Sequence, residues 1–180
     1  MKGSSFSTHK QVVVHKLDKG LVKGFVDPES YLRPEGVEVL DREGRLVNIP
    51  LSEVKGVFFV RNFEGNPQGS ERKFFRSRPR LAGLWVRLTF KDDEVLEGVV
   101  PNNLLAMNPL GFSLTPPDPS SNNLRLFIPR SALVGIEVLG VVRDGAGRRG
   151  VPQRGMRQTG TANGVRQIDL FSPPGPAATK

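Results

Sequence analysis

The 180-residue sequence contains no cysteine, which excludes disulfides, thiolate zinc sites and cysteine nucleophiles. Histidine occurs only at His9 and His15, so histidine-based metal binding and acid–base catalysis are nearly excluded as well. No apolar run approaches the roughly 20 residues that a membrane-spanning helix needs. The first ten residues also lack the apolar segment of a signal peptide. These absences predict a cytoplasmic protein that binds no metal and no other cofactor.

Acidic residues are scarce in particular parts of the chain, and this concentrates the positive charge. The formal net charge is +8. Residues 61–80 carry six basic against two acidic side chains, and residues 141–180 carry seven against two, whereas residues 21–60 and 81–140 are each net acidic. The basic segments favour a polyanion or an acidic protein surface as neighbour. The alternative is that these arginines only keep a flexible chain solvated.

An internal repeat divides the sequence into two halves. Residues 12–24 (VVVHKLDKGLVKG) match residues 86–98 (VRLTFKDDEVLEG), with a valine, an aspartate and a glycine at equivalent positions. Further on, residues 49–57 match residues 128–136 after a short insertion in the second copy. A repeat of this length predicts two small domains of one fold.

Alternating apolar and polar residues predict five short strands in each copy. In the first copy they are Val12–Lys16, Leu21–Val26, Gly36–Leu40, Leu46–Pro50 and Val57–Val60. In the second they are Trp85–Lys91, Glu94–Val100, Phe112–Thr115, Leu124–Pro129 and Gly135–Leu139. A helical turn beginning at a proline is expected before each last strand, at Pro50–Lys55 and Pro129–Leu133.

This pattern predicts an all-β fold of two tandem five-stranded barrels of the SH3-like or Sm-like kind. Gly24 and Gly98 each end a strand that would have to bend sharply. Two hairpin sheets packed as a sandwich are the alternative. The predicted order is a flexible leader at 1–10, a first barrel at 11–61, a basic linker at 62–80, a second barrel at 81–140 and a disordered basic tail at 141–180.

The second copy resembles the Sm-like family, in which a bent barrel binds RNA and assembles into rings. The resemblance lies in the strand ending at Gly98, the segment Ala106-Met107-Asn108 and the segment Leu126-Phe127-Ile128-Pro129-Arg130. It implies RNA contacts by Asn108 and Arg130. The sequence departs from the family because Pro109 follows Asn108, and because Leu51 stands in the first copy where Arg130 stands in the second.

The linker segment Arg72-Lys73-Phe74-Phe75-Arg76 has the arginine spacing of PilZ domains, a resemblance that implies binding of a cyclic dinucleotide. The second PilZ signature, D/N-x-S-x-x-G, does not follow it. The basic side chains of the linker are also candidate phosphate contacts, namely Arg72, Lys73, Arg76, Arg78 and Arg80. Phe74 and Phe75 would either stack on bases or fill the groove between the barrels.

Five residues near the end of the sequence, Gln167-Ile168-Asp169-Leu170-Phe171, resemble the pentapeptide by which bacterial proteins bind the sliding clamp. The resemblance implies that Gln167 makes polar contacts while Leu170 and Phe171 enter an apolar pocket. A disordered tail would present such a segment to a partner. The alternatives are a chance match and a segment that packs back on the barrels.

The sequence predicts a non-enzymatic adaptor that associates with nucleic acid and docks on the sliding clamp through its tail. The acidic group Asp92-Asp93-Glu94 falls in a predicted hairpin turn, which does not provide a cleft for acid–base catalysis, and the sequence contains no P-loop or dinucleotide fingerprint. The candidate partners are the clamp, RNA or DNA, and a second copy of the chain. The alternative function is a regulatory or scaffolding module that binds a protein or a cyclic dinucleotide through the barrels.

Overall fold

The computed structural model describes residues 9–65, 71–103, 105 and 107–143. The described residues of the first repeat form six strands: β1 (Lys10–Lys16), β2 (Leu21–Val26), β3 (Leu32–Arg33), β4 (Gly36–Asp41), β5 (Leu46–Pro50) and β6 (Val54–Val60). Those of the second repeat form five: β7 (Gly83–Phe90), β8 (Val95–Val100), β9 (Gly111–Leu114), β10 (Asn123–Pro129) and β11 (Leu133–Val142). A single-turn 3-10 helix, Arg130–Ala132, precedes β11.

The strands form a curled half-barrel sheet and a smaller three-stranded sheet. In the first repeat β1 pairs with both β2 and β6, while β4 pairs with β2 and β5. In the second repeat β7 lies between β8 and β11, and a bridge between Val99 and Thr115 connects β8 to the chain beyond β9. The all-β prediction is confirmed.

The two repeats share a sheet, because β10 of the second repeat pairs with β6 of the first. The two apolar cores meet at this pairing. Phe127 of β10 belongs to the core of the first repeat, and Phe58 of β6 packs against the core of the second. Each repeat therefore completes part of its core with a side chain from the other. All described residues lie in one compact unit.

Most predicted strands are present with shifted ends, and Leu21–Val26 and Leu46–Pro50 match without change. The short strand β3 was not predicted, because two residues are too few to show an alternating pattern. A 3-10 turn forms at Arg130–Ala132, as expected after Pro129. The helical turn predicted to extend to Lys55 is wrong, since β6 begins at Val54.

Gly24 and Gly98 are required by the close approach of a neighbouring strand. A Cβ atom at Gly24 would collide with the Leu40 carbonyl oxygen, and one at Gly98 would collide with the Leu114 side chain. Equivalent positions in the two repeats therefore face the same steric restriction.

Candidate functional site

A buried carboxylate of the second repeat holds the linker backbone at residues 73–75. Glu97 on β8 is 4% exposed, and its own N–H donates to the Lys73 carbonyl oxygen at 2.8 Å. Its Oε2 accepts the Phe75 N–H at 3.1 Å and the Trp85 indole N–H at 3.2 Å. Its Oε1 accepts from Arg87 at 3.0 Å. A buried carboxylate needs such partners, and here they fix the backbone of residues 73–75.

The two linker phenylalanines are placed differently. Phe75 is half-buried and contacts Trp85 edge-on, with ring centroids 6.1 Å apart. Phe74 is 48% exposed. Pro79, further along the linker, is buried. Phe75 and Pro79 thus hold the segment against the second repeat, while Phe74 presents its ring to the surface.

Beyond Phe75 the linker forms one wall of a cleft of about 370 Å³. We call this the arginine cleft, and its charged residues are Arg72, Arg76, Arg78 and Arg80. The loop after β9 contributes apolar lining to the cleft at Pro116, Pro117 and Pro119. Arg143 lines an adjoining depression together with Arg78 and Arg80. Arg78 is tied to β11, because it donates to the Val141 carbonyl oxygen at 2.6 Å.

Most of this positive charge is not neutralised by carboxylates. Among the residues that the structure describes, Arg76, Arg78, Arg80 and Arg143 form no ion pair. Arg72 lies 3.7 Å from Asp118. Hydrogen bonds from Ser120 and the charges of Arg72 and Arg76 hold the pKa of the Asp118 carboxyl below its usual value. Several unpaired arginines in one cleft create a positive potential that attracts anions.

Lys73, predicted as a phosphate contact, points elsewhere. Its ammonium group pairs with Glu94 at 2.8 Å, and it lines a separate cavity of about 160 Å³ between the two repeats. There Lys55 forms ion pairs with both Asp92 and Glu94. Two of the three acidic residues in the β7–β8 turn are therefore bound to lysines.

His15 lines the same cavity and packs against Phe58, with ring centroids 4.1 Å apart. Burial, and secondly the charge of Lys55, lower the pKa of His15 below its ordinary value of 6.5. The polar groups of this cavity serve the contact between the repeats, since each repeat contributes one side of it.

Asn108 and Arg130 meet at one corner of the second repeat. The Asn108 side chain accepts the Leu110 N–H at 2.8 Å. Arg130 donates to the Pro109 carbonyl oxygen at 3.0 Å, and its guanidinium lies 4.3 Å from the centre of the Phe112 ring. The two residues that the Sm-like resemblance selects are thus neighbours in space, although both side chains already have partners within the protein.

The predicted clamp-binding residues Gln167, Ile168, Asp169, Leu170 and Phe171 lie outside the described residues, as do most of the predicted leader and tail. Within the described residues, no group of three or more histidine and acidic side chains is placed to hold a metal ion. No helix there is long and apolar enough to cross a membrane.

Comparison with known families places both repeats and the linker in one family. A family profile matches residues 8–140, which include β1 to β10, the arginine segment and most of β11. The chain belongs to DUF6982, a family of unknown function. No curated protein and no solved structure matches it. The matched region ends before the tail, so the family assignment covers the arginine cleft and does not extend to the clamp-like pentapeptide.

Sequence reasoning missed two features that form the cleft. Glu97 is a carboxylate inside an otherwise apolar strand, which is an available signal for a buried polar contact. The wall at Pro116, Pro117 and Pro119 was interpreted only as a long loop. Proline side chains in a loop do not indicate which surface they will face, so this part of the site depends on tertiary structure.

Proposed function

We propose that the protein is a non-enzymatic module that binds single-stranded nucleic acid in the arginine cleft. The observation that carries this proposal is that Arg76, Arg78 and Arg80 line one cleft and form no ion pair with any described carboxylate. Guanidinium groups bind phosphate oxygens through paired hydrogen bonds. A chain of phosphates satisfies several of them at once.

A single strand fits the cleft better than a duplex for two reasons. Phe74 is exposed and directly precedes Phe75, which lines the cleft, so its ring is available for stacking with an unpaired base. The prolines that line the cleft also supply apolar surface for bases. Bases in a duplex are stacked on each other and are not available for such contacts.

We further propose that the repeats are Sm-like barrels. In support, β1 pairs with both β2 and β6 in the first repeat, and a 3-10 turn precedes the last strand of the second. Asn108 and Arg130 also lie together at one corner. On this proposal that corner is a second, weaker contact for RNA.

The test is the affinity for fluorescently labelled single-stranded RNA and DNA, measured by anisotropy across a salt series. We expect the triple variant Arg76→Gln, Arg78→Gln, Arg80→Gln to bind at least tenfold more weakly at low salt. Each lost phosphate contact should also lower the slope of log affinity against log salt by about 0.7.

A matched control removes the same charge elsewhere. Lys19, Arg42 and Lys91 lie in turns and do not line the cleft. Their triple replacement by glutamine should change affinity less than threefold. Equal losses in the two triple variants would contradict a localised site and indicate a general effect of net charge.

A second candidate ligand is a cyclic dinucleotide, the regulatory alternative. It is favoured by the position of Arg72 and Arg76, which line the same cleft of about 370 Å³. Isothermal titration with cyclic dinucleotides distinguishes the two ligands, because heat of binding in the absence of a polymer would support the regulatory function.

A further inference from the structure

The last strand of the described chain has an unpaired edge. β11 is ten residues long and pairs with β7 on one side. No described strand pairs with its other side. Four of its apolar residues are at least 45% exposed: Val134, Ile136, Val138 and Val141. A long apolar edge of this kind is a template for pairing with another strand.

Comparison of the two repeats shows that β11 lacks, among the described strands, the second neighbour that its counterpart β6 has in β10. By the alignment of residues 49–57 with 128–136, Val57 and Phe59 of β6 correspond to Ile136 and Val138 of β11. Val57 and Phe59 are 0% and 5% exposed, and both lie in the core of the first repeat, to which the pairing strand β10 contributes Phe127. Their counterparts Ile136 and Val138 are 46% and 57% exposed.

The strand β10, which pairs with this edge of β6, also has a counterpart in the first repeat. β10 corresponds to β5, which pairs only with β4 among the described strands. On β5, Leu46 is 66% exposed and occupies the position of Arg125 on β10. The Arg125 guanidinium lies 4.4 Å from the centre of the Phe59 ring. The two strand edges that join the repeats inside the chain therefore have counterparts on β5 and β11, and no described strand pairs with either counterpart.

We propose that a second copy of this chain pairs its β5 with β11, antiparallel and in the register of the β10–β6 contact. Inside the chain Arg125 lies opposite Phe59, and Phe127 lies opposite Val57. The same register between chains places Leu46 opposite Val138, and Asn48 opposite Ile136. Two exposed apolar side chains then cover each other, and the free backbone groups of both edges form hydrogen bonds.

This contact is heterologous, because the two chains contribute different strands. After the first pairing, one chain keeps its free β11 edge and the other keeps its free β5 edge, so assembly continues beyond two copies. The proposal does not depend on nucleic-acid binding, so its test uses full-length protein freed of nucleic acid by nuclease and high salt.

Sedimentation velocity over a range of concentrations tests the proposal. The wild-type protein should form species of at least two chains, each of 19.8 kDa. The single variants Leu46→Lys and Val138→Lys should each be monomeric, because an edge lysine remains hydrated in the monomer and opposes pairing. Thermal melting of each variant verifies that it is folded.

Mixing the two variants provides a positive signal that misfolding cannot produce. Leu46→Lys retains a competent β11, and Val138→Lys retains a competent β5, so the mixture should form a species of twice the chain mass and nothing larger. The double variant Leu46→Lys, Val138→Glu should regain assembly if these positions face each other. A monomeric wild-type protein, or a Leu46→Lys variant that still assembles, would overturn the proposal.

Discussion

Glu97 holds the linker backbone at residues 73–75 against the second repeat. It receives hydrogen bonds from Phe75, Trp85 and Arg87 while it is almost completely buried. The equivalent residue in the first repeat is Lys23, whose ammonium group donates to the Phe63 carbonyl oxygen at 3.0 Å. Lys23 and Glu97 each precede the glycine that the two repeats share, Gly24 or Gly98, and each binds the chain that follows β6.

Replacement of this carboxylate should therefore destabilise the second repeat. We expect Glu97→Gln to lower the free energy of unfolding by about 1–3 kcal/mol, because buried donors lose a charged acceptor. Denaturant unfolding, followed through the single tryptophan, measures the change. Glu137→Gln is the matched control, since Glu137 also contacts Arg87 but at an exposed position, and it should cost less than about 0.5 kcal/mol. Equal costs would contradict the anchoring role.

We expect His15 to make the contact between the repeats sensitive to acid. Its pKa in the folded protein is lowered mainly by burial, so protonation favours the unfolded chain. Its contribution to stability is complete above its ordinary value of 6.5 and is lost as the pH falls through the lowered folded value. NMR titration should give a midpoint below 6.5 for His15. The melting temperature of His15→Gln should fall less than that of the wild type over the same acidic range. A midpoint at or above 6.5 would contradict the burial.

At the scale of elements, the pairing of β8 with the chain after β9 depends on Gly98. A side chain there meets Leu114, and the Thr115 carbonyl oxygen lies 3.1 Å from the Cβ position. Gly98→Ala should therefore destabilise the protein by about 1–3 kcal/mol through overpacking. The control Gly135→Ala places its Cβ in open space and should be neutral or slightly stabilising. Thermal unfolding of both variants checks the prediction, which fails if Gly98→Ala is as stable as Gly135→Ala.

The strands were predictable because their signals are local. Alternation located the β2 and β5 positions without error, and the repeat supported each assignment with a second copy. The pairing of β6 with β10 was not predictable, because the sequence of a strand does not show which other strand will pair with its edge. For the same reason, sequence alone gave no indication that Phe127 would enter the core of the first repeat.

The candidate site was predicted in part. Charge and spacing selected Arg72, Arg76, Arg78 and Arg80, and the structure places all four along one cleft. The same reasoning selected Lys73, which instead pairs with Glu94. Adjacent residues of an extended linker point in different directions. Composition therefore identified the basic segment but could not show which of its side chains line the cleft.

At the scale of the whole molecule, the adaptor hypothesis requires two separate partners. Nucleic acid would occupy the arginine cleft, and the sliding clamp would bind Gln167–Phe171 in the tail. We expect Phe171→Ala to abolish capture of the clamp from a nuclease-treated lysate, with the melting temperature unchanged. Ser172→Ala is the control beside the motif and should retain capture. Undiminished capture by Phe171→Ala would show that the pentapeptide match is coincidental.

Binding of single-stranded nucleic acid to the linker between the repeats can be located by photo-crosslinking. The full-length protein is crosslinked to single strands containing 4-thiouridine or 4-thiothymidine, and the crosslinked peptides are identified by mass spectrometry. We expect crosslinks within residues 71–81, including Phe74, that are lost in the Arg76, Arg78, Arg80 triple variant. Crosslinks confined to the Asn108 and Arg130 corner, or unchanged in that variant, would rule out the arginine cleft as the binding site.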